Sequence, residues 1–81
     1  MTANERIIAL VRPEYMEMVP SFVRQHAVER VCSLVERNFP NEYREFSAEE
    51  DPPPEAMLKM KSIVNHIFME RMDKHRELER L

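Results

Sequence analysis

The chain of 81 residues contains six prolines and no glycine. At the usual glycine share of roughly 7%, about six glycines would be expected, so this absence is informative. Glycine is the ordinary residue for turns with a positive φ, for Asn-Gly hairpins and for loops that hold phosphate groups. The composition therefore argues against most all-β folds and against phosphate-binding and dinucleotide-binding motifs, and it predicts an all-α protein.

The N-terminal residues predict a short first helix. Thr2 and Glu5 have the spacing of a capping box, in which each residue satisfies a backbone N–H of the other. The apolar residues that follow extend this helix over about 3–11. Pro13 ends it, because the residue before a proline is pushed out of the α region, and one further short turn is expected over 14–19.

Two longer helices are expected in the rest of the chain, which we treat as a single domain over residues 1–81. Pro20 opens a central helix over about 20–38, and Pro54 opens a last helix over about 54–80. The connector between them, 39–53, is expected to hold at most a short turn or 3₁₀ segment. The predicted fold is a short N-terminal helix plus an antiparallel hairpin of the two longer helices.

The negative charge of the chain is concentrated in that connector. The formal net charge is −3, but residues 41–55 hold six acidic side chains against Arg44 alone. Tyr43 and Phe46 place aromatic surface beside these acids. An aromatic anchor with a charged rim is typical of a protein-binding hot spot, so we expect this region to take part in docking.

The last helix carries two apolar sides. One is a core stripe composed of Met57, Met60, Ile63, Val64 and Ile67. Leu58, Met69 and Met72 lie about 120° to 180° from its centre and cannot join the same core. A hairpin of this length leaves these residues and Leu78 uncovered, which predicts a homodimer or an obligate complex.

These patterns predict a non-enzymatic protein-protein interaction module, a small helical regulator, inhibitor or adaptor that occupies the surface of a partner. His75 is a candidate pH-sensitive contact at such an interface. The residues expected to bind a partner protein are Tyr43, Phe46, Leu58, Met69, Met72, His75 and Leu78.

No constellation for catalysis or for a cofactor is evident. His26, Cys32 and His66 lack the spacing of a zinc site, and the acids of the proline-flanked connector are easily solvated, which gives no support for acid–base catalysis. We therefore expect no enzyme activity and no cofactor. The seven methionines leave one question open, because thioethers fill adaptable protein-binding surfaces but also bind soft metal ions such as Cu(I).

The alternative function is that of a small dimeric regulator that binds nucleic acid. The basic side chains of the last helix are the candidate contacts, chiefly Lys59, Arg71, Lys74 and Arg76. Acidic residues at i, i+3 and i, i+4 accompany several of them, which is also the pattern of an ion-paired solvent-facing surface.

The expected location is the cytoplasm, or the cytoplasm of a host cell if the protein is encoded by a virus or phage. The single Cys32 cannot form an internal disulfide, which gives no indication of an oxidising compartment. The N-terminal residues lack the apolar stretch of a signal peptide, and no segment approaches the roughly 18 apolar residues of a membrane span, so no membrane association is expected. No motif of a named family stands out.

Overall fold

A computed structural model describes the backbone of residues 2–79 and the side chains of residues 2–71. Within these limits the chain is all-α, with no strand. It comprises α1 (Ala3–Ile8), α2 (Pro13–Met18), a 3₁₀ turn (Ser21–Val23), α3 (Arg24–Asn38), α4 (Pro40–Ser47) and α5 (Pro54–Glu79). No described residue has a positive φ, so helix ends that often use glycine are built without it.

Helix α1 begins with the predicted capping box. The Thr2 hydroxyl accepts a hydrogen bond from the Glu5 N–H at 3.1 Å, and the Glu5 carboxylate accepts one from the Thr2 N–H. The helix is shorter than the expected 3–11 because its end tightens into i→i+3 hydrogen bonds, including one from Val11 N–H to the Ile8 carbonyl. Arg12, which precedes a proline, is then extended.

The central helix begins four residues later than expected. Pro20 is in an extended conformation with ψ of 137°, and the 3₁₀ turn follows before α3 starts at Arg24. The Val23 N–H donates to the Pro20 carbonyl over 3.1 Å, which is the i→i+3 bond of a 3₁₀ turn. Such turns often precede α-helices, and residues 20–23 are therefore not part of α3.

The expected connector over 39–53 contains a helix, and this is a correction to the sequence interpretation. Pro40 occupies the first turn of α4, where its fixed φ is compatible with a helix and its missing N–H is not needed. Glu42 places a negative charge in that first turn, where it interacts favourably with the helix dipole. The residues of the expected connector that lie outside helices are Phe39 and 48–53.

One hydrophobic core joins α1, α3, α4 and α5. It consists of Ile7, Val11, Val31, Cys32, Val35, Phe46, Met60, Val64, Ile67 and Phe68. Its members on α5 follow the i, i+4, i+7, i+8 spacing of one helix face. Met57, expected in this stripe, is instead exposed, because it lies in the first turn of α5 at the edge of the core. Among the α5 side chains that the structure describes, up to residue 71, the last buried one is Phe68, and the helix backbone continues to Glu79.

Candidate functional site

The second apolar side of α5 is present as two separate patches. Leu58 is 70% exposed and Met69 is 41% exposed. The two residues are about 16 Å apart along the helix axis, and Ser62 and Asn65 lie between them on the same side. They therefore cannot form one continuous apolar surface on α5 alone. Three other expected contacts, Met72, His75 and Leu78, lie outside the described side chains.

Tyr43 and Phe46 lie on the inner side of α4. They therefore do not form the exposed aromatic anchor that the sequence predicted. Phe46 is 2% exposed and belongs to the core, which removes it from the candidate contact residues. Tyr43 is half-buried, and its hydroxyl donates a hydrogen bond of 2.8 Å to Oδ1 of Asn4 in α1. Burial, followed by the nearby negative charge of Glu36, raises the pKa of Tyr43. Both aromatic side chains thus attach α4 to the rest of the fold.

The most exposed large apolar side chain among the described residues is Phe22, in the 3₁₀ turn, at 88%. Met18, at the end of α2, and Val23 are also exposed, and we call these three exposed residues at and beside the 3₁₀ turn the turn patch. The backbone of this patch is held in place, because the Arg24 guanidinium donates a hydrogen bond of 2.9 Å to the Val19 carbonyl. The turn patch therefore presents an aromatic ring on a braced support.

We did not single out Phe22 from the sequence, although a signal for it exists. The apolar face of the central helix is centred on Val31, and at 100° per residue Phe22 falls about 180° away from it. A phenylalanine opposite the buried face of a helix is either exposed to solvent or covered by a partner, and an exposed one is a candidate contact residue.

A cleft of about 230 Å³ lies between α4 and the start of α5. Its lining residues are Glu42, Glu45, Pro53, Glu55, Ala56 and Lys59. The Lys59 ammonium donates a hydrogen bond of 2.9 Å to Oε1 of Glu42. This bond lowers the pKa of Glu42 and raises the pKa of Lys59. Lys59, a candidate nucleic-acid contact, is thus already engaged by a carboxylate.

The acidic segment that follows α4 is held by Arg6 from α1. The Arg6 guanidinium donates hydrogen bonds to the carbonyls of Ala48 and Glu50, at 2.9 and 3.2 Å. A cation at the C-terminal end of a helix interacts favourably with its dipole and binds its free carbonyls. The side chains of Glu49, Glu50 and Asp51 remain exposed.

The remaining nucleic-acid candidates lie toward the C-terminal end of α5. Arg71 is exposed at the end of the described side chains, and Lys74 and Arg76 lie beyond them. One turn before Arg71, Nε2 of His66 lies 2.9 Å from Oε1 of Glu70. Acidic and basic groups therefore alternate on this part of α5.

The groups considered for metal or nucleophilic chemistry are separated. Cys32 is in the core, where burial raises its pKa to about 11, whereas His26 and His66 are exposed on α3 and α5. Within the described residues, no three His, Cys, Asp or Glu side chains come together in a way that could hold a metal ion.

No protein-family model matches this chain, and comparisons with curated proteins and with solved structures found no match either. The described helices also include none with the length and apolar character needed to cross a membrane. The fold defines the class of a small all-α protein. The features that bear on its function are the exposed apolar and charged side chains.

Proposed function

We propose that this protein is a non-enzymatic protein-protein interaction module, a small helical regulator, inhibitor or adaptor that acts by occupying the surface of a partner. The observation that carries the proposal is the 88% exposure of Phe22 on a braced turn. A phenylalanine left in water forgoes about 1.5–3 kcal/mol of burial, which a partner with an apolar pocket can supply. Exposed apolar groups of this kind often mark interaction sites.

The rigidity of the joints favours binding by a preformed surface. Pro13, Pro40 and Pro54 each lie in the first turn of a helix, and Pro20 is extended before the 3₁₀ turn. Arg24 then ties the turn patch to the carbonyl of Val19. Because less conformational entropy is lost when a preorganised surface binds, such a surface binds more tightly for the same contacts.

We infer further that α3 and α5 run antiparallel and that the chain forms a homodimer through its exposed apolar groups. The ion pair between Glu42, in the first turn of α4 that follows the end of α3, and Lys59, near the start of α5, supports the antiparallel direction. Leu58 and Met69 are exposed about 16 Å apart along α5, and Phe22 is exposed on the 3₁₀ turn, so one partner copy can cover one of these residues and leave others free. A cytoplasmic location remains part of this proposal.

We propose a protein partner ahead of nucleic acid because of the charges on α4 and α5. Binding to phosphates needs a face of free basic side chains. Lys59 is paired with Glu42, and acidic residues accompany the basic side chains of α5, as Glu70 does beside Arg71.

The test compares Phe22→Ser with Ser21→Ala, a control substitution of an exposed neighbour in the same turn. Sedimentation equilibrium measures self-association, and cross-linking in the producing cells identifies proteins bound to the wild type. We expect Phe22→Ser to weaken one of these interactions at least about tenfold, while Ser21→Ala leaves it intact. Equal behaviour of the two variants in both measurements would overturn the assignment of Phe22.

A further inference from the structure

The exposed first turns of α5 lie beside the cleft between α4 and α5, and together they form a surface that no residue of the described chain covers. Leu58 is 70% exposed, and Glu55, three residues earlier on the same side of the helix, lines the cleft. In projection about the helix axis, Leu58 lies between Glu55 on one side and the exposed Met57 on the other. We propose that this surface, which we call the acidic-apolar face, docks a basic amphipathic helix from another protein.

The charges at the face determine the chemistry of that partner. Glu42 is neutralised by Lys59, with 2.9 Å between the ammonium and Oε1. Glu45 and Glu55, by contrast, make no ion pair with any described residue, and both are exposed. The segment over residues 41–55 holds six acidic side chains and one basic one. A basic partner complements this field, whereas an acidic protein or a nucleic acid is repelled by it.

The size of the cleft fits side chains rather than a free small molecule. Its volume is about 230 Å³, which is below the roughly 300–1,000 Å³ of ordinary ligand pockets. A lysine or arginine side chain from the partner can enter it and meet Glu45 and Glu55. Leu58 then receives an apolar side chain of the same partner helix, in the helix-in-groove mode of recognition.

The acidic rim is positioned before any partner arrives. Arg6 donates hydrogen bonds to the carbonyls of Ala48 and Glu50. The residues Pro52, Pro53 and Pro54 restrict the backbone that leads into α5. Glu45 lies on α4 and Glu55 lies on α5, so neither carboxylate depends on a loose loop for its place.

This inference rests on the proposed function and names the chemistry of one partner. The probe is a synthetic helical peptide of about 15 residues, with leucines on one face and lysines and arginines beside them. Two reference peptides accompany it, one with the leucines replaced by serine and one with the basic residues replaced by glutamate. Binding to the full chain is measured by fluorescence anisotropy, and the contacted residues are mapped by amide chemical shifts.

We expect only the basic amphipathic peptide to bind, with shifts centred on the acidic-apolar face. Replacing both Glu45→Gln and Glu55→Gln should raise the Kd about tenfold. The matched control is Glu14→Gln with Glu17→Gln, which removes two exposed carboxylates from α2. Leu58→Ser should raise the Kd by a similar factor, whereas Met69→Ser on the same helix should not.

Three results overturn the proposal: no binding by the basic amphipathic peptide, equal binding by the peptide without leucines, or equal effects of the face variants and their controls. Loss of partner binding by Phe22→Ser with no peptide binding would disprove the partner chemistry and leave the proposed function standing. Peptide binding at the face together with an inert Phe22→Ser would support this inference and contradict the role given to Phe22.

Discussion

Asn65 in the middle of α5 holds the backbone at Arg12, where α1 has ended and α2 is about to begin. Its Oδ1 accepts a hydrogen bond of 2.8 Å from the Arg12 N–H. Its Nδ2 donates to the carbonyls of Leu10 and Lys61, at 3.0 and 2.7 Å. One amide side chain thus satisfies backbone groups on both sides of a joint that has no glycine.

Replacement of Asn65 by alanine should destabilise the protein by about 1–3 kcal/mol, because it leaves the Arg12 N–H and the Leu10 carbonyl without their protein partner. Urea denaturation monitored by circular dichroism measures this loss. Ser62→Ala, an exposed change one turn earlier on α5, is the matched control. An equal effect of the two substitutions would show that the Asn65 contacts contribute nothing specific.

The hydroxyl of Tyr43 gives a second test of packing. Tyr43→Phe removes its hydrogen bond to Asn4 and keeps the ring, so we expect a loss of about 0.5–1.5 kcal/mol. Tyr15 is also half-buried, and among the described residues its hydroxyl makes no hydrogen bond. Tyr15→Phe should therefore leave the urea midpoint unchanged, and a similar shift in both variants would argue against the link between α1 and α4.

The prolines illustrate how far local rules predict this fold. The rule that a proline tends to occupy the first turn of a helix is correct for Pro13 and Pro54. The same rule applied to Pro40 would have located α4. Pro20 departs from the rule, since its fixed φ suits an extended residue as well as a helix. The Arg24 side chain also binds the carbonyl of Val19, the residue before Pro20, and the first-turn rule for proline takes no account of this side-chain contact.

The candidate surfaces were predictable only where a single helix defines them. Helical projection separates Leu58 and Met69 from the core stripe, and both are exposed. Phe46 could not be assigned from its own segment, because its burial requires α4 to pack against α1 and α3. The cleft between α4 and α5 likewise depends on two elements that are separate in the sequence.

The ion pair between Glu42 and Lys59 should make stability depend on pH. The pKa of Glu42 is lowered below its ordinary value of 4.5, so its ionisation stabilises the folded state above about pH 4.5. This stabilisation is lost as the pH falls through the lowered pKa. The pKa of Lys59 is raised above 10.5, so its protonation stabilises the folded state below about pH 10.5. This stabilisation is lost as the pH rises through the raised pKa. The pair therefore stabilises the fold between about pH 5 and about pH 10.

We expect Glu42→Gln to be less stable than the wild type near neutral pH, by a small amount because the Lys59 side chain is exposed, and to match it at about pH 3. Urea denaturation at the two pH values measures the difference. Glu14→Gln is the matched control, because it removes an exposed carboxylate on α2 that takes part in no ion pair among the described residues. A Glu42 effect that persists at about pH 3 would point to packing rather than charge.

The thiol of Cys32 should be slow to react in the folded protein. Its pKa is raised from 9.0 to about 11 by burial. At about pH 8 the fraction of thiolate is then roughly 100-fold lower than for an unperturbed thiol. Reaction with a disulfide reagent, followed by absorbance, should be at least that much slower in buffer than in concentrated urea, and fast modification without denaturant would contradict the burial of Cys32.

Phe22 and Phe46 form a matched pair, because the same side chain is 88% exposed at one position and 2% exposed at the other. Truncation of a buried phenylalanine to alanine costs about 3–5 kcal/mol. That is a large part of the roughly 5–15 kcal/mol that stabilises a typical domain, and a chain of this size should be near the lower end. Phe46→Ala should therefore unfold the protein or lower its urea midpoint strongly.

Phe22→Ala should leave the urea midpoint of the isolated monomer unchanged, since its ring contributes little to the core. The variant Phe46→Leu keeps most of the buried volume and should retain the fold with a smaller loss, which makes the comparison possible even if Phe46→Ala does not fold. A strong loss of monomer stability in Phe22→Ala would mean that its ring packs within the fold, and the turn patch would then no longer be available to a partner. Unchanged stability together with weakened association would assign the two phenylalanines to different tasks, Phe46 to the core and Phe22 to the interface.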